Sequence, residues 1–428
     1  MSVIQPLPAI RYNTTGQTDL STRLAPPYDV LSEGDKAQLL TRDSRNFVKI
    51  DLPFVPPKAA GPAAVYEGAR REMDAWLADG VLVRDTEPAI YVYHQRFAHN
   101  GTTCTRKMFF ARLRLEPFGA GSVFPHEQTF GGPKEDRLCL TKACQANLSP
   151  IFGLYPDSGN EVSKTLDAAR PAAPLATGTL DNVENELWAV TDPGVIARIQ
   201  KLLADKPTFI ADGHHRYGTG LLYRDWLVSQ QGTISPEHAA NYVLCVFCAM
   251  EDPGLLILPT HRVLPGVKLP ADVLAADREL EVAPLDVKNP TAAVTALATF
   301  GPQAVGLYDS ATHKYHAIRP ARADILAKIA PEHSPAWRAL GLAFLHAYLL
   351  DRVVTPHVCG GTAPEIRYVK TDPEAVSAAD ETRGVAFILQ PTTMAEMSGV
   401  CQAGDLMPQK STFFYPKLAS GLIINPLV

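Results

Sequence analysis

Residues 89–115 carry the strongest constraint on the fold. AIYVYHQRF and TRKMFFARLRL both alternate as strands do, and His99-Asn100-Gly101 lies between them. Asn-Gly supplies the positive φ of a tight hairpin turn, so the two runs should pair antiparallel. Elsewhere the same chain reads strand, helix, strand. A purely parallel, doubly wound sheet is therefore excluded. The expectation is a mixed α/β (α+β) fold with mixed sheets, hairpins and interleaved helices.

The remaining elements follow from periodicity and punctuation. Ser32 reads as the N-cap of a short helix, and residues 63–78 place Val65, Ala69, Met73 and Trp76 on one helical face before Gly80. A helix is expected over about 133–147. ELWAVTD and PTFIAD read as strands, PGVIARIQKLLA as a helix opened by Pro193, and the run after PTFIAD as a helix to about Ser229. NYVLCVFCAM and LLILPTHRVL read as two strands joined by EDPG, and QAVGLYD with KYHAIRP as a hairpin. AWRALGLAFLHAYLLDRVV reads as one long helix, followed by IRYVKT (strand), PEAVSAADE (helix), GVAFILQP (strand) and TTMAEMSGVCQAGD (helix). With 428 residues, two or three domains are expected. The boundaries drawn are 1–120 (N-terminal α/β region), 121–268 (catalytic core) and 269–428 (C-terminal α/β region contributing to the same cleft).

A formal net charge of −5 argues against a protein that works by neutralising nucleic-acid phosphates. No apolar run is long enough to span a bilayer, and the first residues lack a signal-peptide pattern. Seven scattered cysteines fit reduced thiols and a cytoplasmic location. Cys245 and Cys248 have redox or zinc spacing, but they sit in a buried-strand pattern with no second pair, so core packing is expected. There is no HExxH, no His pair at i, i+4, and no GxSxG elbow, which disfavours a zinc enzyme or an elbow-type hydrolase. Neither a membrane nor a nucleic-acid partner is expected. The oligomeric state is not readable.

FIADGHHRYGTGLLYRDW, residues 209–226, concentrates the chemistry. Gly213 after a strand permits a sharp turn and close approach of a ligand. The following helix offers N–H groups and a positive dipole end, a ready anion site. His214, His215 and Arg216 add donors, and an Arg fork suits phosphate or carboxylate. Asp212 is the odd member: beside an anion it needs a proton, an arginine or a metal. The plainer alternative makes Asp212 an N-cap with solvent-facing histidines.

Other clusters extend the candidate site. His126 and Glu127 are candidate bases, and Lys134, Asp136 and Arg137 are candidate substrate contacts around Gly131-Gly132-Pro133. His261 and Arg262 close an apolar strand and could line a cleft. Lys410 and Ser411 are donor-rich but lack the glycine-rich approach of a Walker A loop. Phe413, Phe414 and Tyr415 beside them read as core. Pro26-Pro27-Tyr28-Asp29 is a rigid loop with a possible ligand-facing side chain.

Two resemblances bear on function. ADGHHRYGTGLLYRD resembles the phosphate-holding turn of the ParB/sulfiredoxin superfamily, which includes free serine kinases with a DGH-x-R turn. APPYDV, HEQTFGGPKEDR, ANLSPIFGLY, ADGHHRY, ILPTHR and MPQKSTFFYPKLASGLI together resemble domain-of-unknown-function family 1015, from Pro26 to Ile423. Phe130-Gly131 and Gly218-Thr219 depart from that pattern without removing a titratable group. The resemblance implies a ParB/sulfiredoxin-like core. It also implies a small-molecule phosphotransferase using ATP, another nucleotide or pyrophosphate with Mg²⁺ on a hydroxyl such as that of free serine. Gly213, His214, His215, Arg216, Lys410 and Ser411 would hold the donor. Asp212 would bind Mg²⁺ or orient the nucleophile. His126 or Glu127 would act as base, with Lys134 and Arg137 on the acceptor. The alternatives are a hydrolase, isomerase or lyase on the same anion site, or a nucleotide-responsive ParB-like binding protein.

Overall fold

The structure, a computed structural model, describes residues 3–57, 59–119, 121–127 and 131–428. Phe130, singled out above, lies outside the described residues. The chain divides into two compact units, Met1–Leu256 with Pro416–Val428, and Ile257–Tyr415.

The first unit is built on a nine-stranded mixed sheet. Its strands are β1 (Ile4–Gln5), β2 (Ile90–His99), β3 (Thr102–Arg114), β4 (Val123–Phe124), β5 (Ile151–Tyr155), β6 (Ala176–Leu180), β7 (Val183–Val190), β8 (Thr208–Asp212) and β9 (Tyr242–Ala249). The order is β4-β8-β5-β9-β3-β2-β7-β6, with β1 paired to β3 off this path. β2 and β3 form the expected hairpin, His99 opposite Thr102, with Asn100 and Gly101 at φ 49° and 76°. β9 runs parallel to β5, and β8 parallel to β4. The expected break at 120 therefore falls within one sheet, since β3 pairs with β9. The break at 268 falls inside the second unit, and 416–428 belong to the first. Strand pairing at long range decides these boundaries, and local periodicity does not report it.

The two faces of this sheet differ. One carries Val92, Phe109, Ala111, Ile151, Cys245 and Phe247, packed under α3 (Glu161–Ala169) and α4 (Pro193–Leu203) through Leu166, Ile196 and Ile199. Cys245 is core, as its strand pattern requires; all seven cysteines are free thiols. The alternate residues form the other face. There Arg106, Gln95 and Asn185 sit side by side and Tyr93 donates to Asn185 at 2.6 Å. The segment 416–420 is bound over them: Arg106 donates to Pro416 O (2.6 Å), Gln95 to Lys417 O (3.1 Å), and the Ala419 N–H to the Tyr93 hydroxyl (3.3 Å).

Around the sheet lie α1 (Ala63–Ala78), α2 (Gly131–Cys144) and α5 (His214–Gln231), with α2 packed on both α1 and α5. Ser32 caps its short helix with Asp35 reciprocating, and Asp192 caps α4 ahead of Pro193.

The second unit holds a six-stranded sheet of β10 (His261–Leu264), β11 (Leu280–Leu285), β12 (Val305–Asp309), β13 (Lys314–Pro320), β14 (Arg367–Val369) and β15 (Val385–Ile388). Its order is β11-β13-β12-β15-β10-β14, with α6 (Asp372–Thr382) and α7 (Met394–Gln402) in the same unit. Two expectations are corrected here. LLILPTHRVL is two short strands, Leu256–Leu258 and β10, and β10 pairs with β14 and β15 rather than with β9. AWRALGLAFLHAYLLDRVV is not one α-helix. A short helix ends at Arg338, Leu340 is extended (ψ 134°), and Gly341–Phe344 leads into a π-helix, Leu345–Val358. Gln303 ties off the first segment at Arg338 O (2.7 Å), and a side chain at Gly341 would strike Pro302 O. No helix among the described residues is long and apolar enough to cross a membrane.

Candidate functional site: the turn between β8 and α5

In a regular strand Ile210 and Asp212 would share a face. The register of β8 shifts between them, so that Ile210 stays opposite Gly153 while Asp212 lies opposite Phe152. Such a bulge re-aims a side chain. Asp212 is thereby delivered to the polar face instead of the apolar one. Gly213 follows at φ 88°. A Cβ there would stand 3.0 Å from Arg216 Nε and 3.1 Å from Ile151 Cα, so this position needs glycine for both conformation and space.

Asp212 does not cap α5; the N-cap position is Gly213, which has no side chain. Its Oδ1 takes Arg216 Nη2 at 3.1 Å and its Oδ2 takes Lys417 Nζ at 2.5 Å. Burial pushes its carboxyl up, but Lys417 and Arg216 outweigh that and hold it well below the usual carboxylate range. Both oxygens are taken by cations, and no group of three or more metal-binding side chains occurs among the described residues. The residues present do not fit a resident Mg²⁺ at Asp212, which corrects its assignment as a metal ligand.

Arg216 is equally committed. Besides Asp212 it donates to Pro150 O, and its guanidinium lies 5.9 Å from the Tyr28 ring centre. Arg137 covers the same ring at 4.0 Å. Arg137 is buried with Asp136 (Nε to Oδ2, 2.7 Å), donates to Asp51 O (2.6 Å), and lies 3.6 Å from Asp51 Oδ1. Tyr66 donates to Asp136 at 2.7 Å and Ser149 to Asp51 at 2.6 Å. Burial raises the Asp51 carboxyl against the pull of Arg137, and it pushes Tyr28 up to about 12 despite both arginines. Tyr28, Asp51, Arg137 and Arg216 line a cavity of about 30 Å³, room for about one water. Asp136 and Arg137, expected on substrate, are instead paired with each other in a buried site, Arg137 Nη2 lying 2.6 Å from Asp136 Oδ2.

The histidines separate in the same way. His126 and His214 are buried and meet edge to face, with ring centres 4.6 Å apart. The His126 N–H donates to His214 Nε2 at 3.1 Å, and His126 Nδ1 lies 2.6 Å from Ile210 O. Burial, then the neighbouring His126, drives His214 well below an ordinary imidazole, so it stays neutral. Neither ring is placed to serve substrate directly, contrary to the expectation for both. His215 is half-buried. Burial lowers it, followed by the charges of Lys134 and Arg216, with Asp29 and Glu127 opposing. Lys134, Glu127 and Asp29 thus lie within electrostatic reach of His215. The Lys134 side chain passes 3.1 Å from where a Gly218 Cβ would stand, and Glu127 lies 3.9 Å from His126 Nε2.

The remaining expected residues belong to the second unit. His261 is buried, with Nε2 2.9 Å from Asp372 and Nδ1 accepting the Leu389 N–H at 3.1 Å. Arg262 is buried among carbonyls, including Gln409 O and Lys410 O. Lys410 is exposed at φ 56°, and Ser411 is buried with its hydroxyl on Pro408 O.

Residues 4–343 match a family described as Protein of unknown function (DUF1015). The chain belongs to that family. No curated protein matches it. Among solved structures, the DUF1015 chain is similar to a free serine kinase in complex with AMP. They share 14% identity over 71% of this chain and 88% of that one, with a TM-score of 0.34. A mutant of free serine kinase in complex with ADP gives 12% identity over 71% and 89%, TM-score 0.34. SbnI with C-terminal truncation from Staphylococcus aureus gives 11% over 72% and 84%, TM-score 0.32.

Within this DUF1015 chain the reading from sequence missed Lys417, Asp51, Ser149 and Tyr66. Lys417 and Ser149 lie inside MPQKSTFFYPKLASGLI and ANLSPIFGLY, yet one lysine or serine in a motif carries no mark of its partner.

Proposed function

We propose that the protein is a small-molecule phosphotransferase whose donor phosphates rest on the start of α5. The observation that carries this reading is the β8–α5 turn itself. Left-handed Gly213, which has no side chain to cap with, opens the helix, with His215 and Lys134 beside its first turns. The N–H groups of a helix's first turn, at the positive end of its dipole, attract phosphate oxygens.

Roles are redistributed relative to the sequence alone. Arg216 and Asp212 neutralise each other and hold the turn's shape. The N–H groups of the first turn, His215 and Lys134 are the phosphate grip. Glu127, with about a third of its side chain exposed, takes the proton of the acceptor hydroxyl. The hydroxyl oxygen forms the new P–O bond, the bond to the donor's bridging oxygen breaks, and the donor leaves carrying that electron pair. Catalysis is then positioning and charge neutralisation. The donor is a nucleotide or pyrophosphate, and the acceptor a hydroxyl metabolite such as free serine.

Phosphorus NMR of the purified protein with nucleotides, pyrophosphate and hydroxy-amino acids, with and without Mg²⁺ in the buffer, tests this. A new phosphomonoester that is lost in His215→Ala and Glu127→Gln is the expected result. Turnover that survives both substitutions, or proceeds without any phosphate donor, would overturn it.

A further inference from the structure

Two glycines, Gly218 and Gly220, lie inside α5. After proline, glycine is the poorest residue for a helix interior, because it gives up the most backbone freedom on folding. Neither has a positive φ, so neither is there for its conformation. Gly220 is explained by the core: a Cβ there would stand 3.2 Å and 3.3 Å from the methyl carbons of Leu115, a buried side chain. Gly218 has another neighbour. A Cβ at 218 would stand 3.1 Å from Cδ of Lys134, and among the described residues it would meet nothing else within 4 Å. The core does not need this glycine; the lysine does.

Three contacts trace the course of that lysine. Thr219 is buried, and its Oγ1 stands 3.5 Å from Lys134 O, at the start of α2. The Lys134 side chain then passes over Gly218. Its charge acts on His215, in the first turn of α5, together with that of Arg216. Positions 219, 218 and 215 follow one another towards the N-terminus of α5, so the lysine runs along the helix to its positive end. Lys134 also lies near the start of its own helix. A cation near the positive ends of two helices is unfavourable, and a bound anion reverses the sign.

We propose that Gly218 is a positioning residue for the phosphate grip: the space it leaves is the path by which the Lys134 ammonium reaches phosphate at the first turn of α5. This rests on the phosphotransferase reading, in which Lys134 holds donor phosphate.

Calorimetric titrations of the full chain with pyrophosphate and ATP, with melting curves on the same samples, test it. Gly218→Ala displaces Lys134 slightly and should weaken both ligands about threefold. Gly218→Leu fills the path and should weaken them about tenfold; if that variant does not fold, Gly218→Ala decides alone. Gly218→Ala should melt no lower than the wild type, because alanine is the better helix former. In a Lys134→Ala background Gly218→Ala should change affinity no further, since a residue acting only through the lysine then has nothing to move. Wild-type affinity in Gly218→Ala, an equal loss with and without Lys134, or a lower melting temperature accompanying the loss would each overturn the inference and leave the phosphate site standing. A wild-type chain that binds neither ligand overturns the phosphotransferase reading, and this inference with it.

Discussion

The ammonium of Lys417 sits 2.5 Å from Oδ2 of Asp212, a residue 205 positions earlier in the chain. Arg216 holds the other oxygen. Removing the lysine leaves a half-compensated carboxylate on the polar face of the sheet. Lys417→Met should cost about 1–3 kcal/mol. This is less than for a fully buried pair, because the two side chains keep 30% and 21% exposure. Asp212 is ionised further into acid when folded than when unfolded. Its contribution is therefore complete above about pH 4 and is lost as pH falls through the lower folded value. The variant should accordingly show its deficit at neutral pH and converge on the wild type below pH ~4. Urea midpoints across that range measure this, and Lys417→Arg should restore most of the loss.

His214 has the opposite sign. Folding keeps it neutral well below the ordinary imidazole range. The unfolded chain gains a proton that the folded one refuses once pH drops below ~6.5. Each such histidine should remove about 1.4 kcal/mol of stability per pH unit in that window. His346, at about 4, adds to the slope. Denaturation between pH ~6.5 and ~5 should be flatter in His214→Gln and in His346→Gln; parallel slopes would contradict this.

His215→Ala and His214→Ala should part company. The first trims a half-buried ring at the mouth of the turn, so phosphate-ligand affinity should drop by about tenfold with stability changed by under ~0.5 kcal/mol. The second empties a buried site and orphans the His126 N–H, which should cost about 1–3 kcal/mol. Calorimetric binding and melting on the same preparations separate the two.

Gly213→Ala should fail in both respects. The φ of 88° costs an alanine about 1–2 kcal/mol. The added methyl also pushes into the Arg216 guanidinium and the Ile151 backbone. Lower stability together with lost ligand binding is expected; a wild-type melting curve would contradict the account of the turn.

Arg137→Met separates scaffold from substrate clamp. It uncovers Asp136 and Asp51 in a buried site, which should cost about 3–5 kcal/mol. A stable variant with only a raised KM would return Arg137 to the substrate.

The hairpin at Asn100-Gly101, the helix at 63–78 and the turn at Gly213 were legible because each depends on residues a few positions apart. The split of LLILPTHRVL was not, because β10 is claimed by β14 and β15, more than a hundred residues later. The break near Leu340 was hidden too: Ala, Leu and Phe suit a helix locally, while the Pro302 carbonyl and Gln303 act from outside it. At the site, the sequence identified the turn but not the loyalties of its charges. Arg216 read as a phosphate fork and Arg137 as an acceptor contact, yet Asp212 and Asp136, four positions and one position away, engage them, and Asp51 joins Arg137 only in the folded chain.

The strap formed by residues 416–420 also governs the timing of assembly. A nascent chain must complete residues 257–415 before Lys417 exists. Until then Asp212 lacks its second counter-charge, and the carbonyls that receive Arg106 and Gln95 are absent. The β8–α5 turn can thus be encoded early, yet Asp212 acquires both its counter-charges only after an intervening unit has been made.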